Sequence, residues 1–133
     1  MNLESHPTNG LSGKVICPGD KSISQRILII GSLLNCDIEI SGFLDSADPN
    51  STMMALNNLG SSIKKDNKIV SISHRPKPFS NPSSFLDLGN SGTGIRLLTG
   101  FISGLNIDAT LIGDKSLSKR PMSRVVDPLI LMG

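Results

Sequence analysis

The chain has 133 residues, about the length of one domain with room for a single modest core. Hydrophobic residues at 38%, charged residues at 18% and a net charge of +2 exclude a disordered acidic or basic chain, and they argue against a protein built to coat nucleic acid. With no Trp, no Tyr and four Phe, aromatic stacking on bases or sugars is not the expected mode of binding.

The most apolar run, residues 27–34, is far too short to span a bilayer, and residues 1–10 lack the cationic-then-apolar order of a secretory signal. A cytoplasmic protein with no membrane contact is expected. Cys17 and Cys36 have neither CxxC spacing nor a His partner, so buried thiols are expected rather than a disulfide or a metal site. His6 and His74 lie in Pro-containing segments and are expected at the surface.

Residues 11–17 read as a short strand ending at the Pro18-Gly19 turn. From Ser22 the pattern turns helical, with Ile23, Ile27, Ile30 and Leu34 on one face. Residues 37–41 alternate as a strand with Ile38 and Ile40 on one side. Asp48-Pro49 reads as a helix start, Asp48 the N-cap and Pro49 the first helical residue. Met53, Leu56 and Leu59 form the stripe of that helix, and Gly60 stands where a C-terminal cap is expected. Residues 62–65 and 69–73 flank Asp66-Asn67-Lys68 as a hairpin.

After a Pro-rich loop over residues 74–82 the order starts again. Residues 85–88 form a strand and residues 91–104 a helix carrying Ile95, Leu98 and Ile102. Residues 109–112 form the next strand and residues 121–132 a second helix carrying Val125, Leu129 and Met132. Helix starts at Ser22 and Pro49 are 27 positions apart, and those at Ser91 and Pro121 are 30 apart. The expected fold class is therefore α/β (α+β), built from repeated β-α-β-α-β-β units. Unit 1 spans about 18–73 and unit 2 about 85–133. Unit 2 stops after its second helix, which would leave sheet edges uncovered, so the N-terminal portion of a larger protein is expected.

Three clusters combine glycines with cations: residues 19–26 (GDKSISQR), 89–96 (GNSGTGIR) and 113–121 (GDKSLSKRP). Each lies between a predicted strand and the next helix, where backbone N–H groups and the helix dipole favour an anion. One such cluster alone reads as a turn glycine beside a solvated charge. Three at equivalent points of a repeat indicate a site for phosphates or carboxylates. Two nucleotide motifs fail: Asp20 separates Gly19 from Lys21, which breaks the P-loop, and Leu97 falls where a dinucleotide fingerprint begun at Gly92 needs glycine.

These three segments closely resemble the N-terminal motifs of the 3-phosphoshikimate 1-carboxyvinyltransferase (EPSP synthase) family, and the resemblance runs from about residue 11 to residue 133. The sibling UDP-N-acetylglucosamine enolpyruvyl transferases share the fold but typically have Lys-Asn where this chain has Lys21-Ser22. The resemblance implies two globules, each of three β-α-β-α-β-β units, with the active site between them. Residues 1–17 would pack on the second globule, and residues 18–133 would form an incomplete first one. It implies transfer of the enolpyruvyl group of phosphoenolpyruvate to the 5-hydroxyl of shikimate 3-phosphate, with release of phosphate. No metal or organic cofactor and no nucleic acid is implied, and the full-length protein would be a monomer. A non-catalytic anion-binding domain of this fold and the sibling enzyme are the alternative readings.

The resemblance also implies roles for residues. Lys21 resembles the lysine that touches both substrates, a candidate proton-transfer group. Ser22 and Arg26 resemble the pair that binds shikimate 3-phosphate. Gly92 resembles the glycine that lets phosphoenolpyruvate approach the backbone, and Arg120 an arginine that holds phosphoenolpyruvate. Asn90, Thr93 and Arg96 match the motif and are expected to shape the site. Two positions depart: Gln25 stands where many members carry His or Asn, and Gly94 where others have Ala or Thr, a change expected to loosen the helix start. The family's acid/base carboxylates and further substrate-binding residues come from later parts of its chain, so these 133 residues alone are expected to be inactive.

Overall fold

A computed structural model describes residues 2–34 and 36–133. In chain order the elements are helix α1 (Lys21–Leu33), strand β1 (Ile38–Ser41), helix α2 (Ala47–Asn58), strands β2 (Ser62–Asp66), β3 (Ile69–Ser73) and β4 (Leu86–Asp87), helix α3 (Gly92–Ser103), strand β5 (Leu111–Ile112) and helix α4 (Ser123–Met132). A short 3-10 turn, Leu117–Lys119, precedes α4. This is the expected mixed α/β class with small sheets. Among the described residues no helix is long and apolar enough to cross a membrane.

β1, β3 and β2 form an antiparallel sheet in that order, while β4 and β5 pair in parallel. The hairpin turns on Asn67, whose φ of 52° suits asparagine in a tight turn. α2 ends as its sequence implies. Gly60, at φ 106°, lets the Ser61 N–H reach the Leu56 carbonyl at 3.0 Å and its own N–H reach Asn57. The core gathers Leu28, Leu56, Leu59, Val70, Ile72, Leu86, Leu88 and Leu98 between the helices and both sheets. Ile38 and Ile40 share the inner side of β1, and Ile95, Leu98 and Ile102 are the buried stripe of α3. The 74–82 loop is tied down by Arg75 over the Phe79 ring and by the edge-on contact of Phe79 with Phe101 of α3.

Several expectations need correction. Residues 11–17 form no strand: Val15 and Ile16 are each 85% exposed, and no described strand lies alongside to accept their backbone groups. α1 is turned away from its predicted apolar face. It buries Ser24, Gln25, Leu28, Ile29, Gly31 and Ser32, while Ile23 and Ile30 are 67% and 53% exposed. The cause is close approach. A Cβ placed on Gly31 would lie 2.6 Å from Cδ1 of Ile72, so α1 meets the sheet through small residues.

α2 begins two residues earlier than expected, at Ala47 behind Ser46. Pro49 is accommodated inside the first turn, where N–H groups have no intrahelical partner, and Asp48 is freed from capping. α4 buries no residue: Val125 and Leu129 are half-buried and Met132 is exposed. Cys17 and Cys36 are both exposed, one in the unpaired N-terminal segment and the other in the connection between α1 and β1, where a chain runs over the surface. His6 and His74 are exposed as expected.

Candidate anion-binding site

Parallel pairing of β4 and β5 brings the loops at their carboxyl ends side by side, and the Asp114 N–H donates to the Gly89 carbonyl at 2.8 Å. The second and third glycine clusters therefore meet. Asp114 organises the join. Its Oδ1 accepts the N–H groups of Leu117 at 2.7 Å and Ser116 at 2.9 Å, and its Oδ2 accepts from Nδ2 of Asn90 at 2.7 Å. The Leu117 N–H, with Asn90, Ser116 and the charge of Arg120, holds the Asp114 carboxyl below the usual aspartate value, against a smaller opposing effect of desolvation. Asn90, so oriented, accepts at Oδ1 from Nη2 of Arg120 at 2.5 Å.

Two guanidinium groups then converge on Gly92. Nη1 of Arg96 donates to the Gly92 carbonyl at 2.9 Å and Nη2 to the Pro121 carbonyl at 3.1 Å. A Cβ placed on Gly92 would lie 2.5 Å from Nη1 of Arg120 and 3.2 Å from Nη1 of Arg96. Among the described residues neither arginine forms an ion pair; their partners are neutral carbonyl oxygens. Two like charges gathered around a bare peptide, with Asp114 near Arg120 but not bonded to it, favour an incoming anion.

α1 carries the other group. Residues four apart share a helical face, so Lys21 lies above Gln25 and Ser22 above Arg26. Nζ of Lys21 stands 2.9 Å from Oδ2 of Asp48, with the lysine side chain still about half exposed. Ser22 is half-buried, and Arg26 is exposed beside a small groove with Ile29, Ile30 and Leu97. Thr93 is half-buried in the first turn of α3.

Asn90, Gly92, Arg96 and Arg120 are thus one contiguous cluster, while Lys21, Ser22 and Arg26 form a second at the start of α1. The link is Gln25, whose Nε2 donates to Oγ of Ser91, the residue before Gly92, at 2.8 Å.

Helix N-termini contribute less than the sequence implies, because side chains already occupy several of their donors. Asp20 accepts from the Ile23 N–H, Ser91 from the Gly94 N–H, and Asp114 from Ser116 and Leu117. Side-chain cations carry the site. Sequence reasoning gave no role to Asp48, read as a cap, or to Asp114. An Asx-type spacing to Leu117 was the available signal for the latter. Gly94 was misread. A Cβ there would lie 2.6 Å from Oγ of Ser91, 2.8 Å from Oγ1 of Thr52 and 2.9 Å from Nε2 of Gln25, so its bareness makes room for packing rather than loosening the helix.

The family model for EPSP synthase (3-phosphoshikimate 1-carboxyvinyltransferase) matches residues 5–133. The chain belongs to the EPSP synthase family. It is 48% identical to the 3-phosphoshikimate 1-carboxyvinyltransferase of Ruthia magnifica over 96% of its length, and 43% identical to that of Petrotoga mobilis over 100%. It spans 29% and 31% of those EPSP synthases, respectively. A solved EPSP synthase from Acinetobacter baumannii superposes with a TM-score of 0.84 at 41% identity, covering 91% of this chain and 28% of that one.

Proposed function

We propose that this chain supplies part of an EPSP synthase active site, transferring the enolpyruvyl group of phosphoenolpyruvate to the 5-hydroxyl of shikimate 3-phosphate. The observation that carries the reading is the pair of arginines, Arg96 and Arg120, converging on Gly92 with neither engaged in an ion pair among the described residues. In the addition step the 5-hydroxyl gives up its proton to a base, its oxygen bonds to C2 of phosphoenolpyruvate, and the C2–C3 double bond becomes single as C3 gains a proton. In the elimination step the C2–O bond to phosphate breaks, C3 loses a proton and inorganic phosphate leaves. Both substrates keep their negative charges throughout, so preorganised cations in a water-poor cleft lower the barrier.

In this reading Lys21 meets both substrates, and Asp48 holds its ammonium in place. Ser22 and Arg26 bind shikimate 3-phosphate. Gly92 and Arg120 bind phosphoenolpyruvate, while Asn90, Thr93 and Arg96 shape the pocket. The complete protein is a cytoplasmic monomer, in which residues 18–133 belong to the first globule and residues 1–17 pack on the second. The exposed Leu11, Val15 and Ile16 support that last assignment.

A phosphate-release assay tests the reading in a chain continued with the remainder of the Petrotoga relative. Lys21→Met is expected to lower the rate by roughly two or more orders of magnitude with folding intact. A near-normal rate would leave Lys21 as a surface charge and overturn the reading.

A further inference from the structure

Gln25 is fully buried on α1, one turn beyond Lys21. Its Nε2 faces three acceptors on two other helices: Oγ of Ser91 at 2.8 Å, Oγ1 of Thr52 at 3.0 Å and the Asp48 carbonyl at 3.3 Å. Ser91 caps α3 by accepting from the Gly94 N–H at 3.1 Å, and Thr52 donates to the same Asp48 carbonyl at 3.1 Å. One amide therefore touches the starts of α1, α2 and α3. Asp48 is held from α1 twice, at its carbonyl by Gln25 and at its carboxylate by Lys21. Among the described residues Gln25–Ser91 is the one side-chain hydrogen bond between α1 and the start of α3. Among the described residues, three of the five buried polar side chains, Gln25, Thr52 and Ser91, belong to this knot.

The knot needs space, and Gly94 provides it: a Cβ there would intrude on Ser91, Thr52 and Gln25 together, each within 2.9 Å. The neighbours are hydrogen-bonded to one another in a close-packed centre, so they have little room to yield.

We propose that Gln25 is a positioning residue, matched to Gly94, whose amide fixes the place of Lys21 relative to the bare peptide at Gly92. The bare carbon at 94 admits the long amide, and the amide fastens the two cation clusters to one another. The ligand part of the proposal rests on the enolpyruvyl-transfer reading; the coupling of the two positions does not.

The experiment compares the 133-residue chain with its Gly94→Ala, Gln25→Asn and doubly substituted forms. Urea unfolding and amide NMR are recorded without ligand, and titrations follow with shikimate 3-phosphate and with phosphoenolpyruvate. Gly94→Ala is expected to lower the folding equilibrium constant about tenfold or more and to move the Lys21, Ser22, Gly92 and Thr93 resonances. Adding Gln25→Asn is expected to recover most of that loss, a non-additivity that residues in contact produce. Apparent affinity for both titrants should fall about tenfold in Gly94→Ala and return in the double form.

Additive effects on stability would overturn the pairing. Restored stability with affinity unmoved in every form would overturn the positioning role. If Gly94→Ala does not fold, folding of the double form is the expected result, and its failure to fold counts against the proposal. Absence of any response to either titrant in the unsubstituted chain would count against the enzymatic reading, while unfolding and ligand-free resonances would still decide the pairing.

Discussion

Arg120 reaches Gly92 because two other side chains hold it there. Asp114 gathers the N–H groups of Leu117 and Ser116 and orients Asn90, and Asn90 takes the guanidinium. These bonds depress the folded-state value of Asp114, so its carboxylate stabilises the loop above the usual aspartate range. The contribution is lost as pH falls through the depressed value. A carbon-detected NMR titration of the Asp114 carboxyl should give a midpoint below 3.8, with the Leu117 and Ser116 amides moving in step. A midpoint at or above 3.8 would contradict the hydrogen-bonded arrangement.

Gly92 makes the complementary case. The atom a methyl group would meet there is the far end of Arg120, which swings away cheaply. Gly92→Ala should therefore change folding stability by about 1 kcal/mol or less in urea unfolding. It should also displace Arg120 and weaken the response to phosphoenolpyruvate. An unchanged response would mean that Arg120 does not attend that peptide.

What the sequence disclosed and what it concealed separate clearly in the helices. α3 was legible because its buried side is made of Ile95, Leu98 and Ile102, and hydrophobic periodicity registers such residues. α1 was not, because its buried side sets Ser24, Gly31 and Ser32 beside Leu28 and Ile29, and hydrophobic periodicity does not register small residues. Ser24 further takes the Leu44 N–H at 3.0 Å, a contact that depends on a turn twenty residues away. The hairpin and the Gly60 cap were readable from local chemistry. Asp48 was not, since its partner Lys21 comes from another element, and for the same reason only the local half of Asp114's contacts was open to sequence, its bond to Asn90 being hidden.

The same contrast yields a measurable difference. Gly31→Val should destabilise the chain by about 1–3 kcal/mol through overpacking against Ile72. Ile30→Ser, on the face that periodicity favours, should cost about 0.5 kcal/mol or less in this chain. Reversed magnitudes in urea unfolding would place the sheet on the other side of α1.

At the scale of the whole molecule, the chain spans 29 to 31% of the EPSP synthases it matches. It nonetheless holds three cation-bearing segments, two of them joined by the parallel pairing of β4 and β5. The third is fastened to them through Gln25. Charge is therefore organised within this stretch, while in the proposed reading the carboxylates for proton transfer come from elsewhere in the complete protein. The 133 residues by themselves should release no phosphate from phosphoenolpyruvate and shikimate 3-phosphate, and detectable turnover would contradict that division of labour.

The most direct test is a proton–nitrogen NMR titration of the labelled chain with the two substrates, singly and together. Phosphoenolpyruvate should perturb Gly92, Thr93 and the Arg120 side chain, shikimate 3-phosphate should perturb Lys21, Ser22 and Arg26, and each should sharpen the response to the other. Perturbations scattered away from both clusters, or identical ones produced by chloride at equal ionic strength, would show that these cations do not form a single substrate site.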